Sequence, residues 1–382
     1  MNTGRTSARL AGGRRIVVKI GSALLVDEAR GSIHAPWLTA LAEDVAAMRA
    51  RGQEVLLVSS GAIAVGRRQL GLPMGTLRLD EKQAAAATGM IQLAHAYQEM
   101  LARHGLTVAQ VLLTLSDTED RRRYINAHAT LTTLLRAGAV PLINENDTVA
   151  TDEIRFGDND RLAARVAAMI SADILVLLSD IDGFYSSDPR RDAEAHLVSE
   201  IHAITPDIEA AAGDAAGGDG TGGMVTKLAA ARIAMGAGCR MVIADGKPLN
   251  PLRRIGEGAR CTWFLPGATP RTARKRWIGG SLKPAGALIV DAGAERALAV
   301  GSSLLPVGVV AVEGTFSKGD AVVVRSADGR ELGRGLSSYS AEDARRIMGH
   351  KGGEIEERLG YRGREEIIHR DDLAIDYGWE TP

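Results

Sequence analysis

Cysteine is nearly missing: Cys239 and Cys261 are the two that the 382 residues hold. They form no CxxC pair and no disulfide framework, which excludes a disulfide-stapled secreted scaffold and fits a reducing compartment. The eight histidines are scattered, with no HExxH or comparable spacing, so zinc chemistry is not indicated. No stretch approaches the eighteen apolar residues that a membrane helix needs. The first fifteen residues carry Arg5, Arg9, Arg14 and Arg15 without the apolar run of a secretory signal. The expectation is a cytoplasmic protein with no membrane partner. Net charge is also close to nil, at −1, which argues against polyanion binding as the main task. Nor does GxxxxGK(S/T) occur, so a Walker-type nucleotide fold is not expected.

What is present is an ordinary globular composition, 45% hydrophobic and 24% charged, in a chain long enough for two cores. From residue 15 to about 265, short β-branched runs alternate with amphipathic, alanine-rich segments, the pattern of βα units around a mainly parallel sheet. RIVVKI, EVLLVSS, VAQVLL, AVPLIN, DILVLLSD and CRMVIAD are the strand candidates. Leu38, Leu41, Val45 and Met48 keep helical spacing, as do Leu131, Leu134 and Leu135, and these stripes cover the sheet. After residue 265 the texture changes. PGATPRTARKRW is polar, basic and proline-punctuated, which reads as a connection. ALIVD, PVGVVAVEG and AVVVRSADGRELGRG then alternate strand runs with Gly and Asp-Gly turns. The expected organisation is a disordered tail (1–13), an α/β domain (14–265), a linker (266–282), a small, mostly β domain (283–364) and a C-terminal tail (365–382).

Phosphate chemistry is suggested at several strand ends. VVKIGSALL places Lys19 and Gly21 beyond the carboxyl end of the first strand, where open α/β sheets bind ligands. VSSGAIAVG puts Ser59, Ser60 and Gly61 where a helix should begin, with N–H groups free for an anion; a plain Ser N-cap reads equally well. GDAAGGDGTGGMVTK holds six glycines between positions 213 and 223 and runs into a helix with Lys227 on its first turn. Gly218, Gly220 and Gly223 also fit GxGxxG, with Asp245 near the place of a ribose-binding acid. That leaves open a NAD-dependent Rossmann oxidoreductase, although AAAGDAA before the glycines is not strand-like and the fingerprint needs strand, turn and helix in order. DILVLLSD ends in Ser179 and Asp180 before a turn-rich stretch suited to the rim of a nucleotide pocket.

INENDTVATDEIRFGDND, residues 143–160, sets six carboxylates and three amides against Arg155 alone. A solvated acidic loop is one reading. The other is that its acids orient lysines, hold an ammonium group or attract Mg²⁺.

Taken in order, VVKIGSALL, VSSGAIAVGRRQLG, INENDTVATDEIRFGDND, LLSDIDGFY and GTGGMVTKLAAA resemble the glutamate 5-kinase family of the amino acid kinase superfamily. PAGALIVDAGA, GSSLLPVGVVAVEGTFSKGDAV and RRIMGHK are similar to the PUA domain that many bacterial members carry. The resemblance spans residues 14 to about 372. It implies a three-layer amino acid kinase fold plus a small PUA-like barrel, and ATP-dependent phosphorylation of the side-chain carboxylate of L-glutamate, the first step of proline synthesis from it. Glutamate is then expected on Ser60, Asp147 and Asn159. ATP is expected on Lys19, Ser179, Asp180, Thr221, Gly222, Gly223, Met224, Val225, Thr226 and Lys227. Lys19 and Lys227 would neutralise charge on the transferring phosphoryl group, Asp160 and Asp158 would hold those lysines, and Mg²⁺ would ride mainly on the ATP phosphates. The loop 148–157 would be a mobile excursion, with Asp152 and Glu153 simply solvated. Ser22, Ser59 and Ser179 stand where Thr is frequent in the family, and each keeps the hydroxyl. Feedback inhibition by proline and a homo-oligomeric state are also implied. PUA domains elsewhere bind RNA, but residues 281–382 carry thirteen Lys and Arg against seventeen Asp and Glu, a balance of −4. RNA-binding domains usually show the reverse, so nucleic acid is not an expected partner, with the basic run 271–276 the place where that expectation is weakest.

Overall fold

The structure, a computed structural model, describes residues 9–27, 32–73, 75–149, 158–214, 223–280 and 283–375. It divides into two compact units, Met1–Pro270 and Arg271–Pro382.

The first unit is built on strands β1 (Arg15–Ile20), β2 (Glu54–Ser59), β3 (Val108–Leu113), β4 (Val140–Glu145), β5 (Ile174–Ser179), β6 (Glu200–Ile201), β7 (Arg240–Asp245) and β8 (Cys261–Phe264). They form one eight-stranded sheet in the order β6-β8-β7-β5-β1-β2-β4-β3. All neighbours run parallel except β7 and β8. The central strands are covered on both faces, which is why RIVVKI and ILVLLS read as continuous apolar runs rather than alternating ones.

Alternation along each strand still decides which face a side chain enters. Ile16, Val18 and Ile20 of β1, Val55 and Leu57 of β2, and Leu142 of β4 pack with Leu38, Leu41 and Val45 of helix α1 (Ala35–Ala50). On this face also lies helix α3 (Leu79–Ala102), reached after helix α2 (Ala62–Gln69) and contributing Leu93, Tyr97 and Leu101. Val17, Leu56, Ile143, Leu175 and Leu177 point the other way. They pack on Leu131 and Leu135 of α4 (Arg121–Arg136), Leu162 and Val166 of α5 (Asp158–Met169), and Leu228 of α6 (Met224–Gly236). Helices, sheet and helices make three layers.

β1 is the point where the winding reverses, since the chain first builds outward through β2, β4 and β3 and then returns to β5 on the other side of β1. Ligand crevices of open α/β sheets lie at such a switch, outside the carboxyl ends of the strands.

The second unit begins with helix α7 (Pro270–Gly280) and carries strands β9 (Gly286–Val290), β10 (Val309–Gly314), β11 (Ala321–Ser326), β12 (Glu331–Leu336) and β13 (Leu373–Ile375). These form a five-stranded sheet in the order β10-β9-β11-β12-β13. Its core is Leu288, Val290, Val322, Val324, Ile347, Ile355, Ile367 and Ile368.

Three boundary expectations differ from what is observed. Residues 9–11, placed in the tail, form a helical turn with Leu10 buried; Arg9 pairs with Glu200 at 2.8 Å and lies over the Trp263 ring. The stretch 266–282, read as a linker, contains α7, whose Ile278 is buried against Ala321 and Leu336 and whose Arg274 pairs with Asp372. The C-terminal tail supplies the fully buried Ile367 and Ile368 and an edge strand, β13, paired with β12. In each case one or two apolar side chains in a polar stretch find a core, too few to show as a periodic pattern. No helix among the described residues is long and apolar enough to cross a membrane.

Candidate active site

Lys19 is the fifth residue of β1, in register with Val58 of β2 and Leu177 of β5. By alternation with Val18 and Ile20 it enters the face occupied by α5 and α6. There its Nζ lies 2.7 Å from Asp160 Oδ1, on the first turn of α5. Lys227 Nζ, on the first turn of α6, lies 3.3 Å from Asp160 Oδ2. Asp160 is 1% exposed and each lysine 9%. Burial pushes the Asp160 carboxyl up, but the two ammonium groups beside it outweigh that and hold it below the ordinary carboxylate value. Among the described residues, one carboxylate between two ammonium groups leaves a positive charge in excess at the switch point of the sheet. A buried excess charge is costly unless a counter-charge joins it, so the place is suited to an anion.

The N-terminus of α6 adds to this. Its N-cap, Gly223, offers no side-chain cap; the Thr226 N–H turns back to the Gly223 carbonyl at 3.2 Å, and a helix start of this kind is suited to a phosphate. Thr226 Oγ1 donates to the Gly223 carbonyl at 2.9 Å and lies 3.4 Å from Asp160 Oδ2. Met224 is half-buried and Val225 exposed. Thr221 and Gly222 lie outside the described residues, as does the side chain of Asp158, whose backbone opens α5. Ser179 ends β5, buried, and its hydroxyl donates to Asp180 Oδ1 at 3.1 Å.

On the other side of β1, Ser60 follows β2. Its N–H donates to the Ile20 carbonyl and its hydroxyl accepts a 3.0 Å hydrogen bond from Asn159 Nδ2. Gly61 then turns the chain into α2 with φ of 100°, a left-handed conformation that favours glycine. Asn159 and Asp160 are consecutive, so α5 presents an amide to Ser60 and a carboxylate to the lysines. Asn159 Oδ1 is buried and finds no hydrogen-bond donor among the described residues. Asp147, 7% exposed, opens a 3-10 turn after β4. With Asn146, Thr148, Ala86, Met90 and Gln110 it lines a cavity of about 160 Å³.

The structure thus gathers Lys19, Asp160, Thr226 and Lys227 into one cluster and pairs Ser60 with Asn159. Residues 150–157, with Asp152 and Glu153, lie outside the described residues. Three neighbours escaped the sequence reading. Lys247 Nζ donates to the Asp180 carbonyl at 2.9 Å; a Gly-Lys pair just after β7 was its available signal. Asn144 Nδ2 donates to the Ser59 carbonyl and Tyr97 meets the Ser59 hydroxyl. Asn144 was visible in the acidic stretch, whereas Tyr97 looks like any aromatic on an apolar helix face. The oxidoreductase alternative fails here: the last described segment before Gly218 is a helix, Pro206–Asp214, where the dinucleotide fingerprint requires a strand, and Gly218 and Gly220 lie outside the described residues.

A positively charged cluster beside a helix N-terminus, at the switch point of a parallel sheet, defines a phosphate-handling enzyme. Residues 14–245 match the model of the amino acid kinase family and residues 286–359 that of the PUA domain. Carbamate kinase from Giardia lamblia bound to AMP-PNP superposes with a TM-score of 0.50 at 15% identity, over 67% of this chain and 99% of that one, a likeness of fold. Glutamate 5-kinase of Paramagnetospirillum magneticum is 64% identical, over 96% of this chain and 99% of the relative. That of Rhodospirillum rubrum is 62% identical, over 94% and 96%. The chain belongs to the glutamate 5-kinase family, within the amino acid kinases.

Proposed function

We infer that the chain transfers the γ-phosphoryl group of ATP to the side-chain carboxylate of L-glutamate, giving L-glutamyl 5-phosphate and ADP, the entry to proline synthesis. The pairing of both Lys19 and Lys227 with Asp160 carries this reading. The attacking carboxylate is already ionised, so no general base is required, and catalysis rests on alignment and on charge neutralisation as negative charge spreads over the phosphoryl oxygens. Lys19 would reach the transferring group from β1 and Lys227 from α6, with Asp160 fixing both. Ser179, Asp180 and the segment 221–227 would take the nucleotide. Ser60, Asp147 and Asn159 would take the amino acid, and the unpartnered Asn159 Oδ1 is an acceptor suited to its ammonium group. Asp158, two residues before Asp160 on the same turn, is proposed to assist it.

Among the described residues no three carboxylate, imidazole or thiol groups come together to hold a metal ion, and Asp160 is already engaged by two lysines. Mg²⁺ is assigned mainly to the ATP phosphates, as suits a small, strongly hydrated cation. Proline inhibition through the amino-acid site, a homo-oligomeric state and a cytoplasmic location complete the proposal. Glutamate titration with and without proline tests the first; an unchanged apparent KM would remove the shared site.

The product distinguishes this reaction from other kinase chemistry. A carboxyl phosphate is an anhydride and is trapped by hydroxylamine as a hydroxamate. Incubation with ATP, glutamate and hydroxylamine should yield one hydroxamate per ADP; ADP release without hydroxamate would show a different acceptor.

A further inference from the structure

The face of the sheet opposite the lysines holds a polar line that the reaction does not use. Tyr97 of α3 is 1% exposed, Ser59 at the end of β2 is fully buried and Asn144 of β4 is 3% exposed. Ser59 alternates with Leu57 and Val55, and Asn144 with Leu142, so both enter the α1 and α3 side. Their hydrogen bonds have a direction. Ser59 Oγ donates to the Ser60 carbonyl at 3.3 Å. Having used its one proton there, it can only accept from the Tyr97 hydroxyl, 3.2 Å away. Burial pushes the Tyr97 phenol up, so the proton it donates stays in place.

The line ends where β2 stops pairing with β4, though β1 still holds it. Paired residues of β2 and β4 end at Val58 and Ile143. One step further, Asn144 Nδ2 donates to the Ser59 carbonyl at 3.0 Å, and the Ser59 hydroxyl takes the next carbonyl, that of Ser60. On the β4 side, side chains therefore take the carbonyls of Ser59 and Ser60, while the Ser60 N–H stays with the Ile20 carbonyl of β1, before Gly61 turns the chain away.

We propose that Tyr97 is a positioning residue for the amino-acid site, acting through the Ser59 hydroxyl on the Ser60 peptide. The inference rests on the reading that Ser60 holds glutamate. A buried phenol that served packing alone would affect stability; one that aims Ser60 acts on substrate affinity. Because Ser60 contacts substrate in ground and transition states alike, the effect belongs in KM for glutamate rather than in kcat.

Steady-state kinetics of the full chain test this with Tyr97→Phe, Ser59→Ala, the double variant and Ser60→Ala. Tyr97→Phe removes one oxygen and is expected to raise the glutamate KM roughly fivefold, the factor that corresponds to one hydrogen bond, leaving kcat and the ATP KM within about twofold. Ser59→Ala interrupts the same line at its middle, so the double variant should be no worse than the weaker single one. Should Tyr97→Phe fold poorly, Ser59→Ala carries the same expectation. A raised glutamate KM in Ser60→Ala with none in Tyr97→Phe or Ser59→Ala would overturn the inference and leave the Ser60 reading standing. No change in any of the three would remove that reading, and the inference with it. A fall in melting temperature without the KM split would mean packing alone and also overturn it.

Discussion

A buried lysine keeps its charge only beside a counter-charge, and here one aspartate serves two. Lys19→Ala should lower turnover by about 2.7 to 4 kcal/mol of transition-state stabilisation, the scale of losing one preorganised donor. Single-turnover measurement at saturating substrates checks this, and near-normal turnover would take Lys19 out of the chemistry. The same cluster sets a pH dependence of stability. The Asp160 carboxyl lies below its ordinary value in the folded state, so its contribution is fully present above an unfolded value of about 3.9 and is lost as pH falls through the depressed folded one. Melting temperature should therefore drop on acidification below about pH 4. Asp160→Asn should be less stable near neutrality, with two buried ammonium groups left unpaired, and show a flatter acid limb; parallel limbs would contradict this. Residue types at this centre were legible in the sequence, since a lysine after a strand, an acid-rich stretch and a lysine after glycines each stand out. Their convergence came only from the family resemblance and not from spacing or pattern, because residues 19, 160 and 227 meet only through the order of strands and the face each one enters.

At the scale of elements, the strands β1 to β5 and β7 followed directly from short β-branched runs. β8 did not: CTWF is four residues, wholly buried, and a short apolar run carries no period to identify it. The three-residue β13 escaped for a similar reason. The crossing of α2 on α3 was likewise not legible, because it depends on two glycines. A Cβ on Gly66 would lie 1.9 Å from the Ala85 carbonyl oxygen, and one on Gly89 would lie 1.9 Å from that of Ala62. Helix propensity favours alanine over glycine, but here the backbones touch. Gly66→Ala should destabilise by about 1 to 3 kcal/mol through overpacking. At Gly236, the end of α6, an added Cβ would meet nothing within 4 Å, and Gly236→Ala should stabilise by about 0.5 to 1 kcal/mol. Denaturant midpoints of the two variants should move in opposite directions; a shift of the same sign would mean that the crossing is not tight. Since α2 begins two residues after Ser60, this crossing also anchors the peptide on which the proposed amino-acid site depends.

At the scale of the molecule, the change of texture after residue 265 announced a second domain, and the compact units divide at Pro270. The few residues between those positions differ because a basic, proline-punctuated stretch folds as α7. Residues 281–382 balance to −4, and with Arg271, Arg274, Lys275 and Arg276 the second unit comes to seventeen basic against seventeen acidic residues, without the basic excess usual in RNA-binding domains. Labelled RNA mixed with the full chain should show no salt-sensitive shift, and a shift abolished by salt would reverse that judgement. The central claim is that the Lys19, Asp160 and Lys227 cluster serves phosphoryl transfer to one amino acid. ADP release with glutamate, set beside aspartate, N-acetylglutamate and UMP at equal concentration, tests it most directly. Glutamate alone should sustain turnover that disappears in Lys19→Ala; equal turnover with UMP or N-acetylglutamate, or none with glutamate, would contradict the account.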